Sequence, residues 1–182
     1  MAKKIVIDVE ADGPAPGLYS MVSFGAVILE DGEITKTFYG KTKPLEGAKW
    51  IPEALAVSGH TREEHESFDD PAVVMQDFEN WLKAEAGYIP EKRNTRPHFY
   101  SDNNGFDYQW INYYFVLCLG NNPFGHTSRN INDLYKGFVN DLTKNGKHLR
   151  KTRHTHHPVD DARGNAEIIQ AMKKQGLRIG FK

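Results

Sequence analysis

The stretch "KKIVIDVE", residues 3–10, limits what this chain can fold into more than any other. Ile5, Val6, Ile7 and Val9 place apolar side chains on both sides of an extended segment, the mark of a strand covered on both faces at the centre of a sheet. Such a strand needs helices packed above and below it, so the expected class is α/β. Asp8 and Glu10, two residues apart near its end, project from the same face. They stand just before the break "ADGPAPG", and ligands of open α/β sheets gather outside such strand ends. Neighbouring carboxylates repel and each is costly to bury, a conflict that divalent cations would remove. A solvated strand end is the plain alternative.

The rest of the chain continues in the same sense. "YSMVSFGAVIL" reads as a second strand, "EDGE" as a hairpin turn and "ITKTFYGKTKP" as a third strand. "WIPEALAVSG" and "HTREEHESF" are short helical pieces, the latter with Thr61 and Glu64 at capping-box spacing. In "DDPAVVMQDFENWLKAEAG" an aspartate precedes Pro71, Val74, Phe78, Trp81 and Leu82 make one stripe, and Gly87 ends the helix. "RPHFYS" is a fourth strand, "FDYQWINYYFVLCLG" a largely buried helix, and "SRNINDLYKGFVND" another helix. "KNGKHLRKTRHTHH" is a basic loop and "PVDDARGNAEIIQAMKKQG" the last helix. The expected architecture is a mixed central sheet, three-strand meander first, flanked by helices, in a single domain over residues 1–182.

Formal net charge is −1, so binding of nucleic acid would require a local basic patch. No apolar run reaches the roughly 18 residues that suggest a membrane span. "MAKKIVIDVE" is unlike a signal peptide, because acids fall inside its apolar stretch. The lone cysteine, Cys118, excludes an internal disulfide and a cysteine-based zinc cluster. Set in "NYYFVLCLG", it reads as a buried structural thiol, and a reducing cytoplasmic setting fits.

Two further acids stand out. Asp107 opens the buried helix, where an acid commonly faces the positive helix end. Yet Asp107, Ile111, Tyr114 and Cys118 fall on one stripe, which turns the acid toward the core side. Asp102, at the end of the fourth strand, competes with it. In the last helix Pro158 suits the first position, leaving Asp160 and Asp161 in the first turn. At roughly 100° per residue, Val159, Ala162, Ala166, Ile169 and Met172 define its apolar side. Asp161 borders that side with Asn165 and Ile168, whereas Asp160 points to solvent with Glu167. The histidines of "HTHHP" admit three readings: zinc ligands, a solvated polar loop, or a catalytic base working near neutral pH. Against zinc, no cysteine is near and the His154–His156 spacing is not that of a helical ligand pair.

Acids on a first strand, a middle helix and the last helix, with one histidine, resemble the signature of the DnaQ-like 3′→5′ exonucleases of the DEDDh type, whose fold is ribonuclease-H-like. "IDVEADG" is similar to their first motif, Asp-x-Glu, through Asp8 and Glu10. "DNNGFD" resembles the second through its closing Phe-Asp, giving Asp107. "HHPVDDA" resembles the third, a histidine five residues before an aspartate, which selects His156 and Asp161 over His157 and Asp160. The segments "SFGAVIL" and "IPEALAVSGHTREE" extend the likeness over nearly the whole chain. Departures are Ala11, where the family often has threonine, and Asp102-Asn103, where it often has His-Asn. They bear on substrate preference rather than on the chemistry.

The resemblance implies phosphodiester hydrolysis by two Mg²⁺ or Mn²⁺ ions on Asp8, Glu10, Asp107 and Asp161, with His156 taking a proton from the attacking water. Nucleoside 5′-monophosphates would leave from the free 3′ end of single-stranded RNA or DNA. RNA is favoured by overall likeness to small bacterial and phage exoribonucleases. Ala11, Gly13 and Asn103 are expected near substrate, Trp50 and Phe106 are candidates for stacking on terminal bases, and Arg150 and Arg153 of the basic loop for guiding phosphates. Lys144, Lys147 and Lys151 extend that basic patch. A hydrolase of dinucleotides, an inactive binding module of the same fold and a zinc-stabilised interaction domain are the competing readings. A homodimer is compatible with the likeness.

Overall fold

The computed structural model describes residues 2–179. Strands β1 (Lys4–Ala11), β2 (Met21–Glu30), β3 (Glu33–Lys41), β4 (His98–Ser101) and β5 (Ser128–Asn130) form one sheet in the order β3-β2-β1-β4-β5. β1 is central, as its two-faced apolar pattern requires. It runs antiparallel to β2 and parallel to β4, and β2 and β3 complete the meander. Among the described residues six α-helices pack around the sheet: α1 (Pro52–Val57), α2 (Arg62–Glu66), α3 (Pro71–Ala86), α4 (Asn104–Leu119), α5 (Ile131–Val139) and α6 (Pro158–Lys174). No helix among the described residues is long and apolar enough to cross a membrane.

Local signals account for the boundaries. Thr61 and Glu64 close a capping box on α2, and the Asp70 carboxylate accepts the Ala72 N–H at the start of α3. Gly87 ends α3 in the left-handed conformation. On one face of the sheet Ile5, Ile7, Val9 and Phe24 meet Phe78 of α3 and Ile111 of α4. On the other, Val6, Val27 and Leu29 meet Ala162, Ala166 and Ile169 of α6. Cys118 is half-buried and its thiol is held above its usual pKa by burial, as an inert packing residue should be.

One expected boundary moves. Ser128–Asn130, read as the start of a helix, is strand β5, paired in parallel with Phe99–Ser101. Three polar residues carry no alternation of their own, so the neighbouring strand dictates their conformation. The helix begins at Ile131, where the Asn130 side chain accepts the Asp133 N–H.

Gly25 decides where α6 sits. A side chain there would run into the backbone of Pro158 and Val159. Its absence lets the first turn of α6 rest directly on β2, opposite Asp8 in the register. That close approach carries Asp161 to the end of β1.

Candidate active site

Asp8 and Glu10 leave β1 on the α6 side of the sheet, and the fully buried Asp161 reaches down from the first turn of α6. Their carboxylate oxygens lie within 4.8 Å of one another. Asp107 enters from the first turn of α4 and is 2% exposed, so it points inward as the stripe on that helix requires. Its Oδ1 accepts the Val9 N–H at 3.1 Å, and its Oδ2 is buried with no hydrogen-bond partner. Asp8, Glu10 and Asp107 line a cleft of about 440 Å³, together with Asp102, Asn103, Phe106, Asn132, Lys147 and His154. Asp102 is therefore a fifth acid beside the four, not a substitute for Asp107. The Asn165 amide donates to its Oδ1 at 2.8 Å and ties it to α6.

Burial, with the charge of Asp107 second, pushes the Asp8 carboxyl well above the usual carboxylate range. Burial, with Asp102 second, does the same to Asp107. Glu10 is raised to about 7 by burial and then by Asp161. Clustered, buried carboxylates of this kind hold either protons or cations. Hard oxygen donors and an unpartnered Asp107 oxygen suit divalent ions such as Mg²⁺ or Mn²⁺.

Asp161 has a different environment. Arg150 Nη2 donates to its Oδ1 at 2.6 Å, His154 Nδ1 lies 2.8 Å from the same oxygen, and the His156 N–H donates to Oδ2 at 2.9 Å. Gly164 makes this possible, because a side chain there would strike the Arg150 guanidinium. His156 adopts a left-handed backbone, φ 58°, which folds "HTHH" back over the helix start. The turn brings the His154 and His156 rings to 4.3 Å and sets His156 Nδ1 3.7 Å from Glu10 Oε1. His154, His156 and Asp161 could also hold a metal ion, although the His154–His156 spacing is not that of a helical ligand pair. Asp160 is partly buried beside the Thr155 hydroxyl, 3.4 Å away, outside the cluster.

The expected substrate residues divide. Asn103 and Phe106 line the cleft, Phe106 edge-on to Trp110. Ala11 is buried as the last residue of β1, and Gly13 is buried under the Tyr19 ring. Trp50 is 40% exposed and carries the Arg62 guanidinium over its ring at 5.4 Å. Arg62 is anchored in turn by the buried Asp12 at 3.5 Å. Arg150 corrects the picture of an open basic loop, since it turns inward to Asp161. Arg153 is exposed with no partner among the described residues. Glu167, expected to face solvent with Asp160, accepts the Lys151 and Thr152 N–H groups and pins the loop to α6. Gly25 and the inward Arg150 were missed in the sequence, although a glycine inside an apolar strand signals close backbone approach.

The sequence matches the exonuclease (RNase T) family over residues 5–169. The chain belongs to that family. This exonuclease is 33% identical to the 3′-5′ DNA exonuclease Cap18 of Escherichia coli over 178 residues, covering 93% of this chain and 91% of that protein. The nuclease domain of 3′hExo, a DEDDh family member bound to rAMP, aligns with a TM-score of 0.76 at 21% identity over 99% of this chain and 96% of that one. The zinc-bound E. coli ExoI–ssDNA complex gives 0.75 at 16% identity over 97% of this chain, which spans 41% of ExoI. The sheet order and these alignments identify the ribonuclease-H-like fold. The exonuclease acts on nucleic acid in the 3′→5′ sense.

Proposed function

We propose that this exonuclease trims single-stranded nucleic acid from a free 3′ end, using two divalent cations, Mg²⁺ or Mn²⁺, on Asp8, Glu10, Asp107 and Asp161. The observation that carries the reading is the convergence of three carboxylates within 4.8 Å beside a buried, partnerless Asp107 oxygen. Bound cations would stabilise the attacking and leaving oxygens of the phosphodiester. His156, held by its N–H to Asp161, takes the proton from the attacking water. Water adds to the terminal phosphorus, the 3′ oxygen of the preceding nucleotide leaves with a proton, and a nucleoside 5′-monophosphate departs. Phe106 and Asn103 form a wall for the terminal nucleotide, and Lys147 offers its charge to a phosphate.

The sequence leans toward RNA on overall likeness alone. The 33% relative is a DNA exonuclease, and we take single-stranded DNA as the preferred substrate. The fold is neutral on this point, since its neighbours include both an ExoI–ssDNA complex and a 3′-exonuclease recognising a histone mRNA stem-loop. Residues 1–182 act as one exonuclease domain, and a reducing cytoplasm suits the single thiol.

The test uses 5′-labelled DNA and RNA oligonucleotides of one sequence, with Mn²⁺ or with EDTA. A metal-dependent ladder shortening from the unlabelled end is expected, faster on DNA. No ladder from folded protein on either polymer would move the substrate to dinucleotides or the chain to an inactive binding module. A second reading rests on the His154, His156 and Asp161 cluster, which could seat zinc in an interaction domain. One tightly held zinc per purified chain would support it.

A further inference from the structure

Cross-strand register sets Gly25 between Asp8 and Tyr39, and Ser23 between Glu10 and Lys41. Paired residues share a face of the sheet. Tyr39 and Lys41 therefore rise on the same face as the two carboxylates, two strand spacings or about 10 Å away. Resting on the exonuclease reading, we infer that the strand upstream of the cut crosses the outer strands of the sheet over a track of His157, Tyr39, Lys41, Phe68 and His60.

The track is continuous from the site outward. His157, next to His156, packs on Tyr39 with ring centroids 4.7 Å apart. Tyr39 is 37% exposed, and its phenol is raised by burial and further by the charge of Glu10, as expected of a ring beside the acids. Lys41 Nζ lies 4.6 Å over the Phe68 ring and has no carboxylate partner among the described residues. His60 stands edge-on to Phe68 at 4.9 Å and 3.5 Å from the Tyr39 hydroxyl. Glu64, 3.7 Å from His60, ends the run. Rings alternating with a free cation are what an unpaired strand needs, bases stacking and phosphates meeting charge.

Much of the basic loop is already committed elsewhere. Arg150 is engaged with Asp161, and the loop backbone at Lys151 is pinned to Glu167. Lys144 faces a separate cleft beside Tyr135. Lys147 and His154 are the members of that basic loop that line the catalytic cleft, and Arg153 is exposed outside that lining.

The experiment reads binding of labelled single-stranded DNA by anisotropy in EDTA, for a long oligonucleotide and for a trinucleotide. Tyr39→Ala and Lys41→Glu should each reduce the affinity advantage of the long strand about tenfold, a stacking- or charge-sized effect. Damage to the fold would lower both affinities together and leave the advantage intact. An advantage unchanged in both variants but abolished by Lys147→Glu would overturn the track in favour of the loop. Because binding is read without metal, a protein that binds in this way yet hydrolyses nothing breaks the exonuclease mechanism and leaves the track standing. Photo-crosslinking of a halogenated strand supplies an independent readout: adducts at Tyr39 or Phe68 support the track, and adducts confined to residues 144–153 overturn it.

Discussion

At one end of the acid cluster Asp161 meets Arg150 at 2.6 Å, His154 at 2.8 Å and the His156 N–H at 2.9 Å. At the other end Asp8 is half-buried and Asp107 buried, with no cationic side chain within ion-pair reach among the described residues, and Asp107 Oδ2 has no partner. The residue type is the same, and the Asp161 carboxylate lies within 4.8 Å of those of Asp8 and Glu10. The difference comes from what each element brings with it. α6 starts beneath a loop that folds back over it and supplies counter-charge, whereas β1 and α4 emerge from the core with nothing of that kind. Carboxylates buried without compensation cost stability, and in this chain they face the cleft where a dication would offset that cost.

The sharpest way to break this comparison is to remove one acid from each end. Asp107→Asn and Asp161→Asn should both lower hydrolysis by about a thousandfold or more. Their effects on metal-free protein should be opposite. Asp161→Asn keeps an oxygen acceptor but removes the counter-charge of the Arg150 guanidinium, and should cost about 3 kcal/mol in denaturant unfolding. Asp107→Asn removes an uncompensated charge while keeping an oxygen for the Val9 N–H, and should raise the midpoint. Shifts of the same sign would undo the distinction.

His156→Ala comes next, with an expected loss of about 10²- to 10⁴-fold in kcat and a normal unfolding transition, since the ring is half-exposed. A near wild-type rate would remove His156 from the chemistry.

The pH dependence sharpens the contrast further. Asp8, Glu10 and Asp107 have folded pKa values above their ordinary ones, Glu10 moving from 4.5 to about 7. Between those values the folded protein holds more protons than the unfolded chain, so stability falls as pH rises. The Tm in EDTA should decline from about pH 4.5 to about pH 7. Mn²⁺ should restore it most at the upper end of that range, where binding displaces fewest protons. His65, which burial lowers to about 4, works in the opposite direction over part of this window. The carboxyl contribution is therefore read against Glu10→Gln, and a wild-type decline no steeper than that variant's would contradict the placement of these carboxyls. The smallest effect is expected for Asp160→Asn, within about twofold in rate as for a surface substitution. A loss equal to that of Asp161→Asn would undo the helix-face assignment.

The placement of most candidate site residues was legible because its signals are local. The apolar run of β1 fixes Asp8 and Glu10 at a strand end, and the periodicity of α6 separates Asp161, fully buried, from Asp160. What escaped depends on contacts between distant segments. Ser128–Asn130 becomes a strand through β4, and nothing in three polar residues announces it. Arg150 looks like part of a cationic loop until Gly164, fourteen positions later, is seen to open a slot for it. The left-handed turn at His156 joins two histidines whose sequence spacing is not that of a helical ligand pair. Tyr39 and Lys41 read as ordinary residues of an outer strand, and only the register across β2 aligns them with the acids.

The central claim is that the uncompensated end of the cluster seats divalent cations. Calorimetric titration of Mn²⁺ into metal-free protein above pH 7 tests it directly, because Glu10 is then ionised. Two ions per chain are expected, with at least one lost in folded Asp107→Asn. No Mn²⁺ uptake, or uptake unchanged in Asp107→Asn, would contradict the account.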